Sequence, residues 1–330
     1  MRALHVKVLL LVAIAAISFG LVQSNISIAQ PALVMHSVYV EGTLPVTDPT
    51  SALWDLAEPV EVPLSGQGVT EPIRPLPSTA GVKVRALNNG THIAFQVAWP
   101  DGTKDNRTTK SDEFRDATAL LFASSTLPGI CMGSRGQTVH IVQWKADWQA
   151  DIEEGFRDLE DAYPNFWVDY YPFAVGDPPY TLPDAFPEEA RELLVGWAVG
   201  NPFSEPLKVT SVEDAIAQGF GTIATQERQD AIGRGVWRDD SWTVVISREL
   251  STGDPEDLEM APGDQYYLAI AVWDGASGDV GARKSVTSWV TLQVSAPPRV
   301  LEAWLVALVV VPPVGAVFFI RYIIGRRKRD

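Results

Sequence analysis

The sequence is poor in cysteine, histidine and positive charge. One cysteine, Cys131, in 330 residues excludes an intramolecular disulfide and a CxxC zinc site. It also excludes an iron–sulfur cluster held by this chain alone and a covalent CxxCH haem attachment. Lys plus Arg number 26 against 41 Asp plus Glu, a net charge of −15, so no basic stripe exists to neutralise phosphates and nucleic acid is not a partner. Beyond the first 29 residues only His36, His92 and His140 remain as imidazoles. His92 and His140 fall within strand-like alternations, where a hydrogen-bonded structural histidine is the ordinary outcome. There is no Gly-x-Ser-x-Gly elbow and no P-loop. Paired carboxylates could be assembled in many ways, and none is singled out. What is present is a core-forming composition, 46% hydrophobic and 20% charged, sized for one large or two ordinary domains.

The two ends read separately from the body. Residues 1–29 carry Arg2 and Lys7, an uncharged apolar run from Val8 to Val22, and small residues before Ala29, the pattern of a cleaved secretory signal. An uncleaved anchor is the alternative, but the run is shorter than the ~20 residues a bilayer core requires. At the other end, Ala303–Ile320 contains no charge and is followed by Arg321 and the run Arg326–Arg329. We expect a transmembrane helix over 299–325, kinked at Pro312 and Pro313, with a basic cytoplasmic tail at 326–330. The body, residues 30–298, is then exported and tethered to the outer face of the cytoplasmic membrane, with a charge of about −20.

Within the body, short apolar runs are punctuated by Gly, Pro, Asn and Asp, as in a β protein. Asn89-Gly90 between Val82–Leu87 and Thr91–Trp99 predicts a hairpin with Ile93, Phe95, Val97 and Trp99 on one face. Further strands are expected at Val60–Leu64, Ala117–Phe122, Thr138–Trp144, Leu193–Val199, Trp242–Ser247, Tyr266–Trp273 and Ser285–Val294. Short helices are expected within Trp148–Tyr163 and at Val212–Gln218. The fold class is mainly β: one large antiparallel β-sandwich with helical and loop insertions, plus the C-terminal transmembrane helix. Eleven tryptophans are the other oddity. Trp144, Trp148, Trp197, Trp237, Trp242, Trp273 and Trp289 fill a large core, or else form a carbohydrate-binding platform on a membrane-tethered module.

Two segments have a different character. Pro128-Gly-Ile-Cys-Met-Gly133 is a small apolar loop leading into a strand and Trp144-Lys-Ala-Asp-Trp148. Trp273-Asp-Gly-Ala-Ser-Gly-Asp-Val-Gly-Ala-Arg-Lys284 is a strand end and glycine-rich turn before Ser285-Val-Thr-Ser-Trp289. Extended alternation puts Lys284 on the side of Val286, Val290, Leu292 and Val294, where a lysine must snorkel out or bind something.

With Trp54-Asp-Leu-Ala and Glu113-Phe-Arg-Asp-Ala117, these motifs resemble the haem b (gamma) subunit of type II dimethyl sulfoxide reductase-family molybdoenzymes. That group includes ethylbenzene dehydrogenase, dimethyl sulfide dehydrogenase, and chlorate, selenate and nitrate/nitrite oxidoreductase-like enzymes. The resemblance runs from about Trp54 to Val294. It implies one non-covalent haem b with Met132 and Lys284 as axial iron ligands, and an electron-transfer role rather than catalysis. The implied partners are a molybdopterin catalytic subunit, an iron–sulfur subunit, and a cytochrome c or quinone-linked donor or acceptor. Without the resemblance, Met132 reads as a gap-filling core residue and Lys284 as a solvated strand-end lysine. Lys145 is the fallback lysine, and Cys131 reads as a small buried apolar residue.

Overall fold

The computed structural model of the chain describes residues 33–124, 132–157, 159–163, 201–205 and 207–298, with a few single positions between 165 and 196. The secretory segment, the C-terminal apolar span and basic tail, Cys131, Trp197 and nearly all of the strand expected at 193–199 lie outside those residues. Among the described residues no helix is long and apolar enough to cross a membrane.

The strands in chain order are β1 (Val34–Tyr39), β2 (Val60–Pro63), β3 (Ser65–Gly66), β4 (Gly81–Asn88), β5 (His92–Pro100), β6 (Ala117–Ala123) and β7 (Val139–Lys145). Helix α1 (Ala146–Glu154) and a single turn, α2 (Leu159–Ala162), come next. They are followed by β8 (Val212–Ala217), β9 (Ala224–Thr225), β10 (Ile232–Trp237), β11 (Ser241–Glu249), β12 (Gln265–Trp273), β13 (Ser285–Val286) and β14 (Val290–Val294). They form one path, β10-β11-β5-β4-β1-β14-β12-β6-β7-β8-β9, with β2 on β4 and with β13 joining β12 to β3.

The expected sandwich is thus a single 14-stranded sheet folded so that its two halves face each other. It is mixed rather than wholly antiparallel, because β1 runs parallel to β4 with Val38 opposite Leu87. The chain between them, through β2, β3 and a 3-10 turn at Ala52–Leu56, is long enough for the crossover that a parallel pair demands.

The hairpin β4–β5 forms as expected. Asn89 Oδ1 accepts from the backbone N–H of Thr91 and His92 at 3.1 and 2.8 Å, and Gly90 takes φ +88°, which a side chain would resist. Ile93, Phe95, Val97 and Trp99 enter the main core with Leu120, Phe122, Val142 and Trp144 from the opposing half. The Phe95 and Phe122 rings meet at 5.6 Å. Trp54, Trp99, Trp144 and Trp242 are among the most deeply buried side chains, so these aromatics fill the core and present no platform to solvent.

Three expectations are corrected. Val212–Gln218 is not a helix but strand β8, paired to β7 along Val139–Trp144. Its alternation was masked by Glu213 and Asp214, both buried. Asp214 Oδ2 accepts from the N–H groups of Asp230 and Ala231 at 3.0 and 2.8 Å, so burial does not leave that oxygen unsatisfied. Second, the strand expected over Ser285–Val294 is two strands. Val286 pairs with Ala271, whereas Val290 pairs with Leu268. The break at Thr287–Trp289 changes the face, because residues of opposite parity on β12 point to opposite sides. Lys284 therefore does not share a side with Val290, Leu292 and Val294, which lie in the main core. Third, the helix expected within Trp148–Tyr163 begins two residues earlier, and its first nine residues stop at Glu154.

Candidate cofactor site

On the outer face of the half built from β12, β6, β7 and β8, a second cluster of buried residues is dominated by alanine: Ala117, Ala119, Ala123, Ala215 and Ala217. Alanine is depleted in strands because it packs poorly on a pleated surface. Here it alternates with large core residues: in β6, Ala117 and Ala119 flank Thr118 and precede Leu120 and Phe122. The register places Ala119 beside Ala271 of β12. Part of this surface, Ala117, Ala119, Ala269 and Ala271, is the shaved floor of a cavity of about 880 Å³, within the ~300–1,000 Å³ range of small-molecule and cofactor sites.

The cavity lining includes both residues singled out by sequence, Met132 and Lys284. They approach from opposite ends of the floor. Met132 sits in the connection before β7, with φ +65°, a left-handed conformation uncommon for a residue with a side chain. Its carbonyl accepts from Gly219 N–H at 2.7 Å, just beyond the end of β8. Gly133 follows with φ +77°, and a Cβ there would lie 2.7 Å from Gln137 O and 3.1 Å from Ala217 O. Only glycine lets the loop close this tightly on the β7–β8 end.

Lys284 stands at the other end, immediately before Ser285, which pairs with Val272. Its carbonyl accepts from Gln67 N–H at 3.1 Å. Gln67 Nε2 donates to Ala282 O at 3.0 Å and to Thr70 O at 2.8 Å, tying the two rims together. The Lys284 ammonium lies 4.8 Å from the Trp273 ring centroid, and Trp273 Nε1 donates to Gly281 O at 3.0 Å. The glycine-rich turn is organised by Asp279, which accepts from Ser78 Oγ at 2.5 Å and is ion-paired with Arg74 at 3.4 Å.

The residues present suit a flat, largely apolar group with a metal at its centre. A thioether is a soft ligand, and a lysine can ligate only as the neutral amine. The floor of alanines leaves room where ordinary strand side chains would stand. The floor has a signal in the sequence, small residues alternating with large ones in Ala117–Ala123 and Leu268–Trp273.

Lys145, the fallback lysine, lines the same cavity and is paired with Glu213. His140 faces the opposite side, bonded by Arg248 at 2.9 Å and lying 3.4 and 3.3 Å from Asp214 and Asp257. It is the structural histidine that its strand position predicts.

A separate acidic cluster lies near the end of β5. Asp101, Asp116 and Asp274 can bring one carboxylate oxygen each within 4.8 Å of the others. Asp116 is fully buried and accepts from the N–H groups of Asp105 and Gly275 and from Trp242 Nε1, at 2.7, 2.9 and 2.9 Å. Burial, and then the neighbouring Asp101 charge, raise Asp116 to about 7. Burial likewise raises Asp101 to about 6. Because the folded state holds these protons more tightly than the unfolded chain, their contribution is largest below about pH 4 and is lost as pH rises to 7. Denaturant midpoints measured at about pH 5 and pH 8 are expected to fall toward the alkaline side. Asp116 alone accounts for an effect on the order of a few kcal/mol, and a rising or flat profile in this window contradicts the assignment.

A family model described as ethylbenzene dehydrogenase matches residues 51–285. A Haloferax mediterranei protein described as a respiratory nitrate reductase heme subunit, ORF7, is 24% identical over 73% of this chain. The chain spans 66% of that relative's length. Solved structures similar in shape include a family 9 carbohydrate-binding module from Caldicellulosiruptor kristjanssonii, in complexes with glucose and with cellotriose. The TM-scores are 0.38 and 0.36, at 8% and 9% identity. These cover 81% of this chain in each case, and 99% and 97% of the module. Likeness at that level says nothing about what is bound here.

Proposed function

Since the chain belongs to the ethylbenzene dehydrogenase family, we propose that it is the haem-binding electron-transfer subunit of an oxidoreductase complex, with Met132 and Lys284 as the axial ligands of one haem b. The family membership and the heme-subunit relative support the coarse role. The observation that carries the ligand assignment is that one cavity with an alanine floor is lined by both side chains.

The bound haem would supply reversible one-electron chemistry. The residues of this chain hold it and restrict it. Met132 offers a neutral sulfur, which favours the ferrous state. Lys284 would offer its amine nitrogen, and the positive charge of the metal itself would oppose protonation there. With Met132 and Lys284 both holding the iron, no coordination position would be left for oxygen or substrate, and the group would serve electron transfer rather than catalysis. Trp273, held by Gly281 O at 3.0 Å, limits where the lysine stem can swing.

The same reading assigns a molybdopterin catalytic subunit and an iron–sulfur subunit as partners, with a cytochrome c or quinone-linked carrier as the further donor or acceptor. It puts the domain on the outer face of the cytoplasmic membrane, on the strength of residues 1–29 and 299–330 alone. The decisive experiment is an optical spectrum of the purified protein, oxidised and reduced, with an iron count. One iron per chain and a six-coordinate haem spectrum without covalent attachment are expected. Absence of a Soret band, or a bis-imidazole signature, sinks the proposal.

A further inference from the structure

The cavity wall carries a buried ion pair that axial ligation does not use. Lys145 ends β7, is 1% exposed, and its ammonium is paired with Glu213 of β8. The second Glu213 oxygen accepts from Thr225 Oγ1 at 2.6 Å. The Lys145 nitrogen lies 3.8 Å from the Trp148 ring centroid and 4.5 Å from that of Phe203. Lys145, Glu213, Thr225 and Phe203 all line the cavity.

The charged groups near this pair come from the segment before β6, from α1 and from the segment before β8. Arg115 precedes β6 and is itself bonded to Asp147 of α1 at 2.6 Å. Lys208, 5.6 Å from the Trp148 ring centroid, is paired with Asp151 at 3.6 Å. Ala117, opposite Lys145 on β6, adds no charge. Burial draws Lys145 down to about 8, with Arg115 acting in the same direction and Glu213 and Asp147 against them. The ammonium and amine forms are therefore close in free energy, in a place where a nearby change of charge can decide between them.

Resting on the haem reading above, we infer that the Lys145–Glu213 pair couples proton transfer to electron transfer. Lys145 takes one proton from solvent when the cofactor in the adjoining cavity accepts one electron from its redox partner, and returns it on oxidation. The oxidised cofactor carries one more positive charge and opposes the ammonium, so reduction tightens proton binding at Lys145. Across a separation on the order of 10 Å at an effective dielectric near 20, one unit charge changes a proton-binding constant by roughly tenfold. The coupling is confined to the interval between the two proton affinities and vanishes at lower and higher pH.

The test is a spectroelectrochemical titration of the full-length, haem-loaded protein from about pH 6 to 10. At fixed electrode potential the ferrous-to-ferric ratio is expected to fall with rising pH, by several-fold and at most about tenfold per pH unit near the middle of the range. Lys145→Arg keeps a cation that does not titrate there, so the dependence should vanish. Glu213→Gln removes the carboxylate that favours the ammonium, so the window should move to lower pH. This second variant serves if the arginine cannot be accommodated. A pH-independent wild-type potential, an unchanged slope in Lys145→Arg, or an unmoved window in Glu213→Gln each overturn the coupling. Protein without a haem spectrum overturns the underlying reading instead, and the two failures are therefore distinguishable.

Discussion

Lys284→Ala protein is expected to fold and to bind carbon monoxide in its ferrous state, whereas the parent protein is expected not to bind it. Removing the amine leaves the proposed haem with a single protein ligand and opens a coordination position. Arginine cannot restore the bond, because its guanidinium stays charged, and Lys284→Arg should behave like Lys284→Ala. Met132→Ala opens the opposite face and removes the ligand that favours ferrous iron. Its midpoint potential should drop on the order of 0.1 V, a fraction of the ~0.8 V over which axial ligands move haem potentials. Both substitutions lie outside the strands, in the connections before β7 and β13, so circular dichroism should be unchanged. Spectra, potential and carbon monoxide binding all matching the parent protein would remove Met132 and Lys284 from the site.

Filling the floor is expected to have the second large effect. Ala119→Leu projects three further carbons from the centre of β6 into the cavity, directly beside Ala271. The larger side chain suits a strand better than alanine and buries apolar surface, so the cofactor-free protein should gain up to about 1 kcal/mol. Haem content after purification should nevertheless fall at least tenfold, because the space is taken. Pairing the two measurements separates occupancy from misfolding: a more stable protein that has lost its cofactor cannot be explained by damage to the fold. Undiminished haem content would place the cofactor elsewhere.

Legibility in the sequence followed local chemistry. The β4–β5 hairpin could be read because Asn89-Gly90 specifies its turn and the alternation on β5 is uninterrupted. Met132 and Lys284 could be singled out because their motifs carry a family resemblance, but the sequence did not show that they share a cavity. That depends on the register β13-β12-β6-β7, a product of long-range pairing. β10 escaped notice because Gly233 and Gly235 weaken its pattern. Their role is tertiary: a Cβ on Gly235 would lie 2.5 Å from the Trp144 ring. β8 was misread because buried carboxylates imitate the polar face of a helix, and the partners that make their burial tolerable, Lys145 and the Asp230–Ala231 backbone, are distant in sequence or beyond a turn. The alanine floor was overlooked because alanine is unremarkable in composition and becomes informative only when adjacent strands align it.

The floor is made of hydrogen-bonded strands, whereas both proposed iron ligands hang from connecting segments at its two ends. The strands of the floor close their hydrogen bonds with one another, so this receptacle is expected to form before its contents arrive. On this reading, maturation resembles closing two clasps over a prosthetic group on a standing frame, and an empty form of the protein should persist long enough to be loaded last.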